Sequence, residues 1–163
     1  MMNKFEMDFF EQFKDQEISF QVKATKLNPT SSMLWRISVL SIFLYHCCSS
    51  NRSSLHKLQI FYSCVGNELT FDSLLDAIKG NSDLYATDVK FDPTLLRVLN
   101  YMISYGIISK KNNSHFKLTE AGKNFAKQLV STEVLKELKD KLFSVQKNKY
   151  SESAFNRIFK EAL

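Results

Sequence analysis

Residues 92–122 read DPTLLRVLNYMISYGIISKKNNSHFKLTEAG, and this stretch decides the fold. Asp92 is an N-cap residue, and Pro93 at the first helical position lacks only an N–H that would have no partner there. Leu95, Leu96, Val98, Leu99, Met102 and Ile103 recur at helical spacing and predict a buried stripe. Gly106 ends the helix. Ile107-Ile108-Ser109 and His115-Phe116-Lys117-Leu118 are short apolar segments joined by Lys110-Lys111-Asn112-Asn113-Ser114, which reads as a β-hairpin. Thr119 caps the next helix, over 120–130, with Ala121, Phe125, Ala126 and Leu129 inward. Leu118 closes the hairpin over the core, and Gly122 lets the helix pack closely against it.

Upstream, Met33 to Cys48 is the most apolar run, with so little polar surface that it predicts a central helix. Ser49-Ser50-Asn51 breaks it. A second helix runs from Ser54 to Cys64, with Leu55, Leu58, Phe61 and Val65 at helical spacing and Gly66-Asn67 as its C-cap. A third spans Phe71 to Lys79, starting near Thr70 or Asp72 and followed by Gly80-Asn81. Residues 84–91 suggest a strand. At the N-terminus, residues 3–15 suggest a short helix carrying Phe9, Phe10 and Phe13 among acids. Ile18, Phe20, Val22 and Ala24 alternate like a strand over 17–26. Downstream, helices are expected over 132–146 and 151–162. The chain divides into an N-terminal extension (1–32), a core (33–130) and a C-terminal helical segment (131–163). Helix, helix, capped helix, hairpin and helix is the order of a winged helix, so the expected fold is mainly α with a small β-hairpin wing.

Composition agrees. The chain has 163 residues, enough for one domain of ordinary core size. Only 4 Gly and 2 Pro argue against many short strands and turns. The apolar run at 33–48 carries Arg36 and His46 and falls short of the roughly 20 residues that span a bilayer, so no membrane association is expected. Three cysteines without CxxC spacing, Cys47, Cys48 and Cys64, read as reduced buried thiols rather than metal ligands, which suggests the cytoplasm. His46, His56 and His115 fall on three different elements. No phosphate loop, nucleophile elbow or zinc-protease motif occurs, so neither catalysis nor a cofactor is expected.

The net charge of +5 is uneven. Residues 1–25 hold three Lys and five acids, whereas 105–149 hold ten Lys and four acids. A basic block suits a polyanion or an acidic protein surface; a solvated lysine-rich face is the alternative. Winged helices that read DNA lay the helix before the wing in the major groove. Here that helix turns Arg97, Asn100, Tyr101 and Ser104 outward, with one cation among them, which makes it a poor reader of bases. Cations gather instead on the wing (Lys110, Lys111, Lys117) and on the helix behind it (Lys123, Lys127). These five are the candidate nucleic-acid contacts. Phe9, Phe10, Phe13, Arg97 and Tyr101 are the candidate partner contacts.

Three segments together resemble the small middle component of three-component ABC/SMC-type defence systems, the Lamassu or Ddm class. They are Arg36 to Tyr45 followed by Ser54 to Phe61, then Phe91-Asp92-Pro93 to Arg97, then Phe116 to Lys123. Their order and spacing across residues 30–160 carry the resemblance, since no one motif is unique to the family. The resemblance implies a non-catalytic accessory subunit in bacterial antiphage or antiplasmid defence. Its implied partners are an SMC-like ABC ATPase dimer, a nuclease or other effector, and double-stranded DNA without sequence specificity. It implies no catalytic residues. The other reading is a free-standing winged-helix DNA-binding transcription regulator.

Overall fold

The computed structural model describes residues 32–81, 91–111 and 114–162. They form α1 (Met33–Ile42), a π-helical turn (Phe43–Cys47), a 3-10 turn (Ser49–Asn51), β1 (Arg52–Ser54), α2 (Leu55–Val65) and α3 (Glu68–Lys79). Then follow α4 (Thr94–Ser104), β2 (Ile108–Lys111), β3 (His115–Leu118), α5 (Glu120–Ser131), α6 (Lys136–Phe143), a 3-10 turn (Lys147–Lys149) and α7 (Glu152–Ala162). The described chain is therefore mainly helical with one small antiparallel sheet, ordered β1-β3-β2. The expected helix over 3–15 and strand over 17–26 lie outside the described residues, as does the strand over 84–91 apart from Phe91. No helix among the described residues is long and apolar enough to cross a membrane.

α1 is central, as its apolar run predicts. Ile37 through Leu44 are all buried, and the helix packs against α4 and α5. Its last turn widens to π-helical geometry. Asn51 then ties it off, its Nδ2 donating to the carbonyls of Tyr45 (2.9 Å) and Leu44 (3.4 Å). Ser50 and Asn51 both take left-handed backbone (φ 54° each), which reverses the chain into β1.

β1 was not expected. Arg52-Ser53-Ser54 has no apolar alternation, but Ser53 is fully buried opposite Phe116. Its pairing comes from β3, a partner more than sixty residues away. Ser54 then caps α2, accepting from the Lys57 N–H at 3.1 Å. Asn67 caps α3, accepting from the N–H groups of Leu69 (3.0 Å) and Thr70 (3.3 Å). α3 thus begins at Glu68, three residues before the expected Phe71; Gly66 is the C-cap of α2, as expected, and Asn67 is at the same time the start of the next helix. Gly66 has an ordinary right-handed φ of −75°.

Asp92 starts α4 as expected: Oδ1 accepts from the Thr94 N–H at 2.9 Å and from its hydroxyl at 2.6 Å. Leu95, Val98, Leu99 and Met102 are buried, but Leu96 and Ile103 face outward. The buried face is thus narrower than the expected stripe.

The wing junction follows the expected logic closely. Gly106 turns the chain at φ +68°. Thr119 donates its hydroxyl to the Gly106 carbonyl and accepts from the Gly122 N–H at 3.0 Å, capping α5. A Cβ on Gly122 would lie 1.9 Å from the Ile107 carbonyl oxygen, so only glycine fits. Inward on α5 are Ala126, fully buried, and Phe125 and Leu129, half-buried; Ala121 is exposed, contrary to expectation.

The C-terminal segment shares the same core. The Phe43 ring stacks on Phe61 at 3.8 Å and meets Tyr150 and Phe155 edge-on at 6.1 and 6.2 Å. Leu142, Val145 and Ile158 are buried with them. Ser54 also reaches α7, donating its hydroxyl to Glu152 Oε2 at 2.7 Å and its N–H to Oε1 at 3.1 Å.

Gly122→Ala is expected to cost about 3 kcal/mol, at the upper end of overpacking because the neighbour is backbone. A thermal melt should show a Tm drop on the order of 6–12 °C. An unchanged Tm would mean the junction is not so close.

Candidate functional site

Strand geometry sorts the expected lysines. Successive side chains of a strand point to opposite faces. Lys110 pairs with the buried Phe116 and shares the inner face, at the rim of the core. Lys111 pairs with His115, and Lys117 pairs with Arg52 on one side and Ser109 on the other. Arg52, Lys111, His115 and Lys117 therefore share the outer face, where with Ser50 they line an open pocket of about 480 Å³. The structure brings Lys111 and Lys117 together and adds Arg52 and His115. Arg52 went unnoticed in the sequence because β1 carries no pattern of its own.

The remaining lysines differ. Lys123 Nζ lies 2.6 Å from Glu120 Oε1. That hydrogen bond, with smaller help from the charge of Lys117, holds the Glu120 carboxyl below its ordinary range. Lys127 is exposed on α5, outside the pocket.

The second surface is apolar. Arg97, Asn100, Tyr101 and Ser104 are exposed on α4, as expected, and share a shallow depression. Tyr101 also borders an open apolar groove of about 590 Å³, with Met33, Leu34, Ile37, Tyr105 and Phe125. Leu34 is 67% exposed and Tyr105 70%, so these apolar side chains face solvent. Tyr101 and Tyr105 lie roughly parallel at 6.3 Å. Phe9, Phe10 and Phe13 lie outside the described residues.

Inside the fold, two cations hold structure together. Arg36 reaches the hydroxyls of Tyr62 and Thr94 and lies 3.9 Å from the Asp92 carboxylate. It thereby joins α1, α2 and the start of α4. Lys57 is almost fully buried, donates to the Tyr150 carbonyl, and lies 5.6 Å and 5.3 Å from the Phe43 and Phe155 ring centres.

The cysteines are buried and free. Burial pushes the Cys47 thiol up, and pushes that of Cys48 up to about 11. His46 packs on the Phe143 ring at 3.9 Å, and burial, with a smaller push from Lys147, lowers its pKa. No three His, Cys, Asp or Glu side chains converge as a metal site among the described residues.

The chain matches no family model, no curated protein and no solved structure.

The thiols give a chemical check on this packing. In the native protein at pH 8, Ellman's reagent should react with none of Cys47, Cys48 and Cys64, and with all of them in guanidinium. Cys48 keeps its proton up to about pH 11 when folded, against 9.0 as the ordinary value. Its contribution to stability is therefore full below pH 9 and lost as pH rises toward 11. Urea midpoints should fall across that window, and Cys48→Ala should make the fall shallower.

Proposed function

We propose that this chain is a non-catalytic bridging subunit of an SMC-like ATPase–nuclease complex in bacterial antiphage or antiplasmid defence, acting in the cytoplasm. The observation that carries the reading is the pair of unlike surfaces on one small fold. The outer sheet face is basic and the groove between α1, α4 and α5 is apolar. An adaptor needs two contacts of different chemistry. It links the ATPase dimer to the nuclease or other effector, with DNA as a further contact.

The core is read as a winged helix. Supporting this are the run α1, β1, α2, then α4, β2, β3, α5, and the sheet order β1-β3-β2. The family part rests on the resemblance. Its Arg-led helix and its Asp-Pro opening are in contact here through Arg36 and Asp92, which gives their joint occurrence a physical reason. A free-standing regulator would need α4 to read bases. Arg97 is the one cation of α4, beside Asn100, Tyr101 and Ser104, and Leu96 and Ile103 are exposed on the same helix, so its surface is short of donors for phosphates and base edges.

The test is co-expression with the products of the genes beside this chain's own, which the proposal expects to include an SMC-like ATPase and an effector. The expected result is a stable complex that keeps its nuclease in check. Leu34→Glu combined with Tyr105→Ala should reduce co-purification at least roughly tenfold, the effect of losing about 1.4 kcal/mol. Both positions are exposed, so Tm should hold. Absence of a complex with the wild-type chain sinks the reading.

A further inference from the structure

We propose that the outer face of the sheet is a binding site for the phosphodiester backbone of duplex DNA, built from Arg52, Lys111, His115 and Lys117 beside Ser50. It supplies the residues for the DNA contact of the adaptor reading and rests on that reading only for its biological setting.

The first argument is electrostatic. Lys79, Lys123, Lys136 and Lys141 each meet a carboxylate on the described surface. Lys139 is buried, with its amine on the carbonyls of Leu129 and Thr132. Arg52, Lys111 and Lys117 are different. Among the described residues none of them has an ion-pair partner within 4.0 Å. The Glu120 carboxylate feels Lys117, but its hydrogen bond goes to Lys123. Arg97, Lys110, Lys127, Lys147 and Lys149 also lack such a partner, yet they stand apart on α4, the inner rim of β2, α5 and the 3-10 turn at Lys147–Lys149.

The second argument is register. Arg52 lies directly opposite Lys117 across the β1–β3 pair. Like charges in that position repel and weaken the sheet. Lys111 sits one pair further along, opposite His115, diagonal to Lys117 on the same face. The fold thus places three cations around one point, and among the described residues no carboxylate lies within ion-pair distance of any of them. An anion bound there relieves the repulsion, so the site costs stability when empty and regains it when filled.

The third argument is shape and lining. The pocket, about 480 Å³ and open to solvent, is in the size range that takes more than a lone ion. Among the described residues its lining is Ser50, Arg52, Lys111, His115 and Lys117, with no aliphatic or large aromatic anchor among them. An acidic protein segment would need such anchors to be held. A phosphodiester needs only donors: the planar fork of Arg52 for two oxygens and the lysines as point charges. Among the described residues no Asn or Gln lines the pocket to read a base edge, so the expected binding is independent of sequence.

The experiment is fluorescence anisotropy of the full chain with labelled 20-base-pair duplexes of two unrelated sequences, titrated over salt. Equal affinity for both sequences is expected. Arg52→Gln, Lys111→Gln and Lys117→Gln should each weaken binding roughly three- to tenfold and reduce the log–log salt slope by about 0.9. Lys110→Gln, one residue away on the other face, should change neither. Inorganic phosphate should raise the wild-type Tm more than that of the Arg52→Gln/Lys111→Gln double variant. Lys111 is exposed, so its variant carries the comparison if Lys117→Gln folds poorly. The proposal is overturned if the wild type does not bind duplex, if Lys110→Gln matches Lys111→Gln, or if one sequence is preferred tenfold. Polyglutamate competing as well as duplex would overturn it too, and would identify an acidic protein as the occupant. The isolated chain is used, so this test and the co-purification test can fail independently.

Discussion

The position of the sheet depends on one backbone carbonyl, that of Ile107. It accepts from the Thr119 N–H at 3.0 Å and leaves room beside it for a glycine alone. Thr119 is at once the end of the hairpin and the cap of α5, so strand and helix cannot shift separately. With α5 held at that distance and packed on α1, Phe116 and Leu118 face the core. The period of two along β3 then leaves His115 and Lys117 no face but the outer one. A steric constraint at Gly122 thus determines which side of the molecule is basic.

Counting charge along the chain overstates what is available to a partner. The lysines of residues 105–149 divide into kinds that only the fold distinguishes. Lys139 is a buried C-cap, its amine on the last carbonyls of α5. Lys141 bridges Glu68 and Asp72 of α3, and hydrogen bonds to the two carboxylates, that of Asp72 first, raise its pKa. Lys123 and Lys136 are matched one turn away on their own chain segments. Arg52, which lies outside that block, completes the basic face.

What was legible in the sequence was local. The Asp92 cap, the turn at Gly106, the Thr119 cap and the small residue at 122 each act within a few positions, so their side chains declare them. The three-helix approach to α4 and the hairpin follow from periodicity in the same way. β1 was not legible, because its strand character is conferred by β3 and by the burial of one serine. Asn67 was read only in part: Gly66 ends α2 as expected, but Asn67 directly after it also opens α3, and a residue shared between two helix ends declares only one of them in the sequence. Leu96 and Ile103 were placed inside because a stripe of apolar residues does not state how wide a face its neighbours cover. The outer-face pocket shared the first difficulty: four of its five lining residues sit on strands, and Arg52 joins the others only through the long-range pairing of β1 with β3.

Lys57 bears on how the chain can be divided. Its ammonium lies under Phe43 and Phe155 and ends on the Tyr150 carbonyl, and two of those three groups come from the C-terminal segment. A chain cut after α5 would keep the charge and lose the carbonyl and one ring, leaving a buried cation without its acceptor. Residues 33–130 look self-sufficient by helix and strand pattern, yet they carry half of an interaction. The unit that evolution can move, duplicate or fuse therefore extends through α7, and the modularity suggested by the pattern of elements is not the modularity of the energetics.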